Sequence, residues 1–94
     1  MTLSDMYCTQ CGRKNIPVPR NKGREREIGH LKKMYCIYCK RKTNMVEIRG
    51  FGSGYTVDDF ELEFNLHNFT EEGTRKLTLS EFKKHLNNGG GVLD

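Results

Sequence analysis

The sequence predicts a small α+β fold, with β-hairpins in the N-terminal half followed by a short strand and a C-terminal helix. Three observations carry this expectation. Two Cys-x-x-Cys pairs, Cys8/Cys11 and Cys36/Cys39, divide the first half into two similar units. Residues 60–67 alternate apolar and polar side chains. Thr78 then precedes Leu79, Ser80 and Glu81 in the spacing of a capping box, where hydroxyl and carboxylate each satisfy a free backbone N–H.

The hairpins come first. Met6-Tyr7 leads into one Cys pair and Met34-Tyr35 into the other, a loose internal repeat. After Cys39 a polar turn, Lys40 to Asn44, is expected, and then a half-buried strand over Met45–Arg49, where Val46 and Ile48 alternate with Glu47 and Arg49. The Gly-rich stretch 50–54 reads as a hinge. Beyond it, Phe60, Leu62, Phe64 and Leu66 alternate with Glu61, Glu63, Asn65 and His67, which predicts a strand with one apolar and one acidic face. A helix starting after Asp58 or Asp59 is the alternative for so short a window. In the helix that follows Thr78, Leu79, Phe82 and Leu86 share a face, Lys83, Lys84 and His85 fall in the later turns, and Gly89 to Gly91 end it. The tail beyond Gly91 is expected to be mobile.

Size and composition say what else the fold needs. The chain has 94 residues, 35% of them hydrophobic and none of them Trp, so its apolar interior is small and a further staple is expected. No apolar run approaches the roughly 20 residues that cross a bilayer, and the N-terminus lacks the features of a signal peptide, so no membrane partner and a cytoplasmic location are expected. There thiols stay reduced, and four paired cysteines serve a metal rather than disulfides. Two disulfides are the alternative for an exported chain. The net charge of +4 conceals a division, because residues 1–50 carry 12 Lys/Arg against 4 Asp/Glu and residues 51–94 carry 4 against 8. A basic module, 1–50, followed by an acidic one, 51–94, is the organisation this predicts.

Zn²⁺ takes four soft or borderline ligands in a tetrahedron, and a Cys-x-x-Cys turn places two thiolates on one side of the ion. Cys8-Thr-Gln-Cys11 and Cys36-Ile-Tyr-Cys39 complete such a shell, and the 24 residues between them lengthen the intervening loop beyond the usual ~15–20. Gly12 helps the first turn fold back, and Arg13, Lys14, Lys40 and Arg41 favour thiolate over thiol. One structural Zn²⁺ on Cys8, Cys11, Cys36 and Cys39 is the expectation; an iron centre of rubredoxin type uses similar pairs. His30, six residues before Cys36, is the competing ligand, and with four cysteines present it reads as a surface or packing residue.

A full Cys₄ shell leaves no position for a reactive water, so the chain is not expected to be an enzyme. The Cys pairs around Gly29-His30 suggest an HNH nuclease, but His30 lies too close to Cys36 for that site. No nucleophile with a nearby base and no phosphate-cradling loop for a small-molecule substrate stands out. Asp58-Asp59 and Glu71-Glu72 point apart as neighbours do, and read as helix-start or turn residues.

Between the Cys pairs, Arg13, Lys14, Arg20, Lys22, Arg24, Arg26, Lys32 and Lys33 stand against Glu25 and Glu27, a net +6. Such a loop suits nucleic-acid phosphates, with affinity that falls as salt rises. Tyr7, Tyr35 and Tyr38 offer faces to bases or to Arg, or simply cover the metal site.

Over residues 6–49 the double Cys-x-x-Cys with short apolar approaches resembles the zinc ribbon family. More narrowly, Met6–Gly12 and Gly29–Cys39 are similar to small zinc-ribbon proteins of phages infecting Gram-positive bacteria. The resemblance implies that the four cysteines are ligands and that the chain is a binding module. The elongation-factor subtype carries an acidic pair at the ribbon tip, and the basic loop here departs from it. Two partners are therefore expected: nucleic acid held by the basic loop, or a protein such as a host RNA polymerase, held by the ribbon and by Phe60, Leu62, Phe64, Phe69 and Phe82. A third expectation has Asp58, Asp59, Glu61 and Glu63 folding back over the basic loop.

Overall fold

A computed structural model describes residues 2–20, 29–49 and 54–93. Four strands, β1 (Thr2–Cys8), β2 (Val18–Arg20), β3 (Leu31–Cys36) and β4 (Arg41–Ile48), precede two helices, α1 (Val57–Asn65) and α2 (Leu79–Asn87). The strands form one antiparallel sheet in the order β2-β1-β4-β3. This is a small α+β architecture with Cys8 and Cys36 at the ends of β1 and β3, the two strands that flank β4.

The sheet has core on both faces, and side-chain alternation assigns each residue to one of them. Met6 and Cys8 of β1, Met45 of β4 and Cys36 of β3 form one cluster, with Val18 and Met34 against it. Val46 and Ile48 form the other with Tyr55 and Phe60, joined by Tyr7, Leu31, Phe64, Phe69 and Leu79. Met45, Val46, Glu47 and Ile48 are consequently all buried, and the half-buried strand expected here is corrected to one covered on both sides. The polar turn expected at 40–44 is also displaced. The chain reverses at Ile37–Lys40, within and just after the Cys pair, and β4 begins already at Arg41, pairing with Cys36.

The strand expected at residues 60–67 is replaced by helix as far as Asn65, with Leu66 and His67 in the turn that follows. Thr56 caps α1, accepting from the Asp59 N–H while the Asp59 carboxylate accepts from the Thr56 N–H, and Asp58 and Asp59 lie in the positive first turn. Phe60, Glu63 and Phe64, at three- and four-residue spacing, share the inward face, whereas Leu62 is 45% exposed. Phe60 decides the packing, since it lies fully buried 5.1 Å from the Tyr7 ring, 5.9 Å from Phe64 and 5.6 Å from Phe69. A strand would have placed Glu63 in water and Leu62 beside Phe60.

The capping box expected before α2 is present, with Thr78 and Glu81 exchanging hydrogen bonds and Phe82 buried. Gly89 to Gly91 follow the helix, the His85 ring lies 2.7 Å from the Gly91 carbonyl, and the Leu93 N–H donates to the Leu66 carbonyl at 2.8 Å.

A buried polar network ties the helices to the sheet. Glu63, 1% exposed, accepts from Arg75 Nε at 2.7 Å and Nη2 at 3.2 Å, from Asn68 Nδ2 at 2.7 Å and from the Tyr55 hydroxyl. Arg75 Nη1 then donates to the Gly29 carbonyl at 2.7 Å, just ahead of β3. Asn68 orders the loop between the helices by bonding both the N–H and the carbonyl of Leu77.

Candidate metal centre

The two Cys pairs fold into the same turn. The Gly12 N–H returns to the Cys8 carbonyl at 2.8 Å, and the Lys40 N–H returns to the Cys36 carbonyl at 2.8 Å. Gly12 (φ +74°) and Lys40 (φ +57°) both take the left-handed conformation that this return demands. The loose repeat seen in the sequence is thus a repeat of backbone geometry. Lys40 is exposed, but a Cβ on Gly12 would stand 2.9 Å from the Phe64 ring. Gly12→Ala is therefore expected to destabilise the metal-loaded protein by about 1–3 kcal/mol, from left-handed strain and overpacking, measurable as a lowered urea midpoint.

Strand register brings the two turns together. Cys8 closes β1 and Cys36 closes β3, on either side of β4, which supplies Met45 opposite Cys8 and Arg41 opposite Cys36. The four sulfurs lie within 4.8 Å of one another, with Cys8 Sγ 3.8 Å from Cys39 Sγ and Cys11 Sγ 3.7 Å from Cys36 Sγ. A tetrahedron with metal–sulfur bonds of ~2.3 Å has edges of about 3.8 Å, so the spacing fits one ion among four thiolates. Cys8 and Cys36 are buried, and Cys11 and Cys39 are partly covered.

Hydrogen bonds to the sulfurs prepare them for a cation. Cys8 Sγ accepts from the Gln10 N–H at 3.3 Å and lies 3.1 Å from Thr43 Oγ1. Cys36 Sγ accepts from the Cys39 N–H at 3.4 Å and from Asn15 Nδ2 at 3.5 Å. At Cys36 burial disfavours the thiolate, but the bonds from Cys39, Asn15 and Tyr38 outweigh it and bring the thiol down to about 6. Burial pushes the Cys11 thiol up to about 12 and raises Cys39 as well. A dication that displaces those protons resolves the crowding of four sulfurs in one pocket.

Asn15 and Thr43 are partners of the cysteine sulfurs that the sequence reading missed. Asn15 also accepts the Ile37 N–H at 3.0 Å, so one amide links both turns. Neither residue carries a sequence signal, because each is identified only by which strand end it meets. His30 stands apart from the sulfur cluster, and its carbonyl accepts the Glu47 N–H at 2.8 Å.

The cations expected to bind phosphate are spread over several elements. Arg13 and Lys14 follow the first turn, where Arg13 lies over the Tyr38 ring at 4.9 Å and Lys14 pairs with Asp5 at 3.5 Å. Arg20 ends β2, and Lys32 and Lys33 occupy β3 on opposite faces of the sheet. Lys22, Arg24 and Arg26 lie outside the described residues, as do residues 50–53 of the expected hinge. Of the tyrosines, Tyr7 is taken up by the core, while Tyr35 and Tyr38 are 56% and 48% exposed. No helix among the described residues is long and apolar enough to cross a membrane.

Comparison with protein-family models, with curated proteins and with solved structures found no match.

Proposed function

We propose that this chain is a non-enzymatic zinc-ribbon module, which holds one structural Zn²⁺ through Cys8, Cys11, Cys36 and Cys39 and binds nucleic-acid phosphates with the cations around it. Zinc is favoured by the donor set, since four thiolates at tetrahedral spacing suit a soft-to-borderline ion and leave it no open position for chemistry. When bound, the ion supplies cohesion to a sheet face whose apolar content besides the cysteines is Met6 and Met45, with Val18 and Met34 partly buried against them.

The observation that carries the binding reading is the state of the cations. Arg13, Lys33, Lys40, Arg41 and Lys42 are exposed, and among the described residues none of them forms an ion pair. Unpaired cations on one small module attract a polyanion and release its counterions. Fluorescence anisotropy with labelled DNA and RNA is the test. Two to four phosphate contacts give an affinity loss of roughly 10- to 100-fold between 50 and 200 mM salt. Absence of binding even at low salt removes the reading.

A protein partner is the second reading, favoured by the 47% exposure of Ile37 beside Tyr38 at the second turn and the 66% exposure of Ile16. Phe60, Phe64, Phe69 and Phe82 are committed to the fold, which leaves Leu62 of that set, together with the turn, to make such a contact. A stoichiometric host protein retained after nuclease treatment, with no binding to bare nucleic acid, would favour this reading over the first.

A further inference from the structure

We propose that the end of the β3–β4 hairpin, on the sheet face that carries the helices, is a track for single-stranded nucleic acid, with Tyr35 as the platform for a base and Lys33 and Lys42 as phosphate contacts. The inference rests on the nucleic-acid reading above and names the surface and the substrate class.

Register makes the arrangement. Tyr35 pairs directly across the hairpin with Lys42, and Lys33 lies two residues earlier on the same strand and face. Directly opposed side chains have Cβ atoms about 4.5–5.5 Å apart, and same-face neighbours along a strand are about 7 Å apart, so Tyr35 has a lysine as its neighbour both across the hairpin and along the strand. β3 is an edge strand, and both lysines are exposed. The repeat supplies an internal control. Tyr7 precedes Cys8 as Tyr35 precedes Cys36, yet Tyr7 packs on Phe60 at 5.1 Å while Tyr35 is left 56% in water. A bare aromatic ring between cations is the pairing that sequence-tolerant single-strand binding uses, because every base has a face to stack.

The opposite wall of this face selects the width of the ligand. A shallow polar depression beside Lys33, Arg41 and Lys42 is closed by Glu71 and Glu72. Their turn is fixed: Asn44 Nδ2 donates to the carbonyls of Glu72 at 3.1 Å and Gly73 at 3.3 Å, and Gln10 Nε2 donates to the Thr70 carbonyl at 3.2 Å. Gly73 (φ +86°) sits so close that a Cβ there would be 2.7 Å from Asn44 Cβ. The turn therefore keeps Glu71 and Glu72 beside the cations, and among the described residues neither pairs with them. A single strand that follows the lysines is expected to avoid these carboxylates, whereas the second strand of a duplex is expected to be repelled by them.

The test is fluorescence anisotropy on the metal-loaded full chain, with labelled ~12-nucleotide oligo-dT and oligo-U against a duplex of equal length. Single strands are expected to bind more tightly than the duplex. Tyr35→Ala should weaken single-strand binding about 5- to 100-fold without changing the salt slope, and Tyr35→Phe should retain it. Lys33→Gln with Lys42→Gln should lower the salt slope by about 1.4, for two lost contacts on a single strand. Glu71→Gln with Glu72→Gln should narrow the gap between duplex and single strand. All of these side chains but Tyr35 are charged and exposed, and circular dichroism checks that each variant is folded. Wild-type affinity and slope in both Tyr35→Ala and the double-lysine variant, or a preference for duplex, would overturn this surface while leaving nucleic-acid binding intact. Loss of all binding by the native chain would overturn both.

Discussion

Cys36→Ser is expected to unfold the sheet under conditions where the native chain is folded. Cys36 is fully buried at the junction of β3 with its turn and accepts from Cys39 and Asn15. A serine hydroxyl is a poor zinc ligand and leaves three sulfurs crowded without full neutralisation. Structural zinc contributes about 10–16 kcal/mol of apparent binding energy that couples to folding, and whole domains are stable by only ~5–15 kcal/mol. The metal-side cluster of Met6, Met45 and the cysteines cannot offset such a loss. Amide resonances of β1, β3 and β4 should collapse to unfolded positions, and excess chelator should produce the same spectrum in the native protein. Retained strand resonances in both experiments would mean that the sheet stands without its metal.

The second large effect is expected at Arg75. Arg75→Met should cost about 3–5 kcal/mol, because it leaves the Glu63 carboxylate buried without its cation. Burial opposes the charge on Arg75, but Glu63 outweighs it and holds the guanidinium charged. Burial, and then the neighbouring carboxylate, push the Tyr55 hydroxyl well above its usual range, so it remains a donor. Removing the guanidinium also frees the Gly29 carbonyl from the contact that joins the helical layer to β3. For a chain of this size the thermal midpoint should fall by more than about 10 °C. Combining Arg75→Met with Glu63→Gln should recover part of the loss, since a neutral amide is less costly to bury than an unpaired charge. Equal midpoints for Arg75→Met and the native protein would show the ion pair to be dispensable.

Much of the four-cysteine cluster, which could hold a metal ion, could be read from sequence because its chemistry is local. Two thiolates three residues apart define a turn, and the pair-to-pair distance needed only a hairpin to close it. The start of α2 was legible for the same reason, since Thr78 and Glu81 satisfy each other's backbone within one turn. α1 misled because Phe60, Leu62, Phe64 and Leu66 satisfy a period of two while Phe60 and Phe64 alone satisfy the helix. Thr56 with Asp59 carried the deciding signal, a capping box with Asp in place of Glu. The partners of Glu63 could not be read at all: Arg75 is 12 residues away and Tyr55 eight, and neither sits at a spacing that any single element imposes. The proposed hairpin surface was out of reach for a similar reason: charge counting points to the loop 13–33, whereas the placing of Tyr35 beside Lys33 and Lys42 depends on a register that only the paired strands reveal.

Metal stoichiometry of the reduced, purified protein tests the central claim most directly. Native mass spectrometry should give one zinc per chain, lost on acidification together with the folded charge-state distribution, and elemental analysis should find zinc in place of iron. A chain that carries no metal yet keeps the narrow charge states of a folded protein would contradict it.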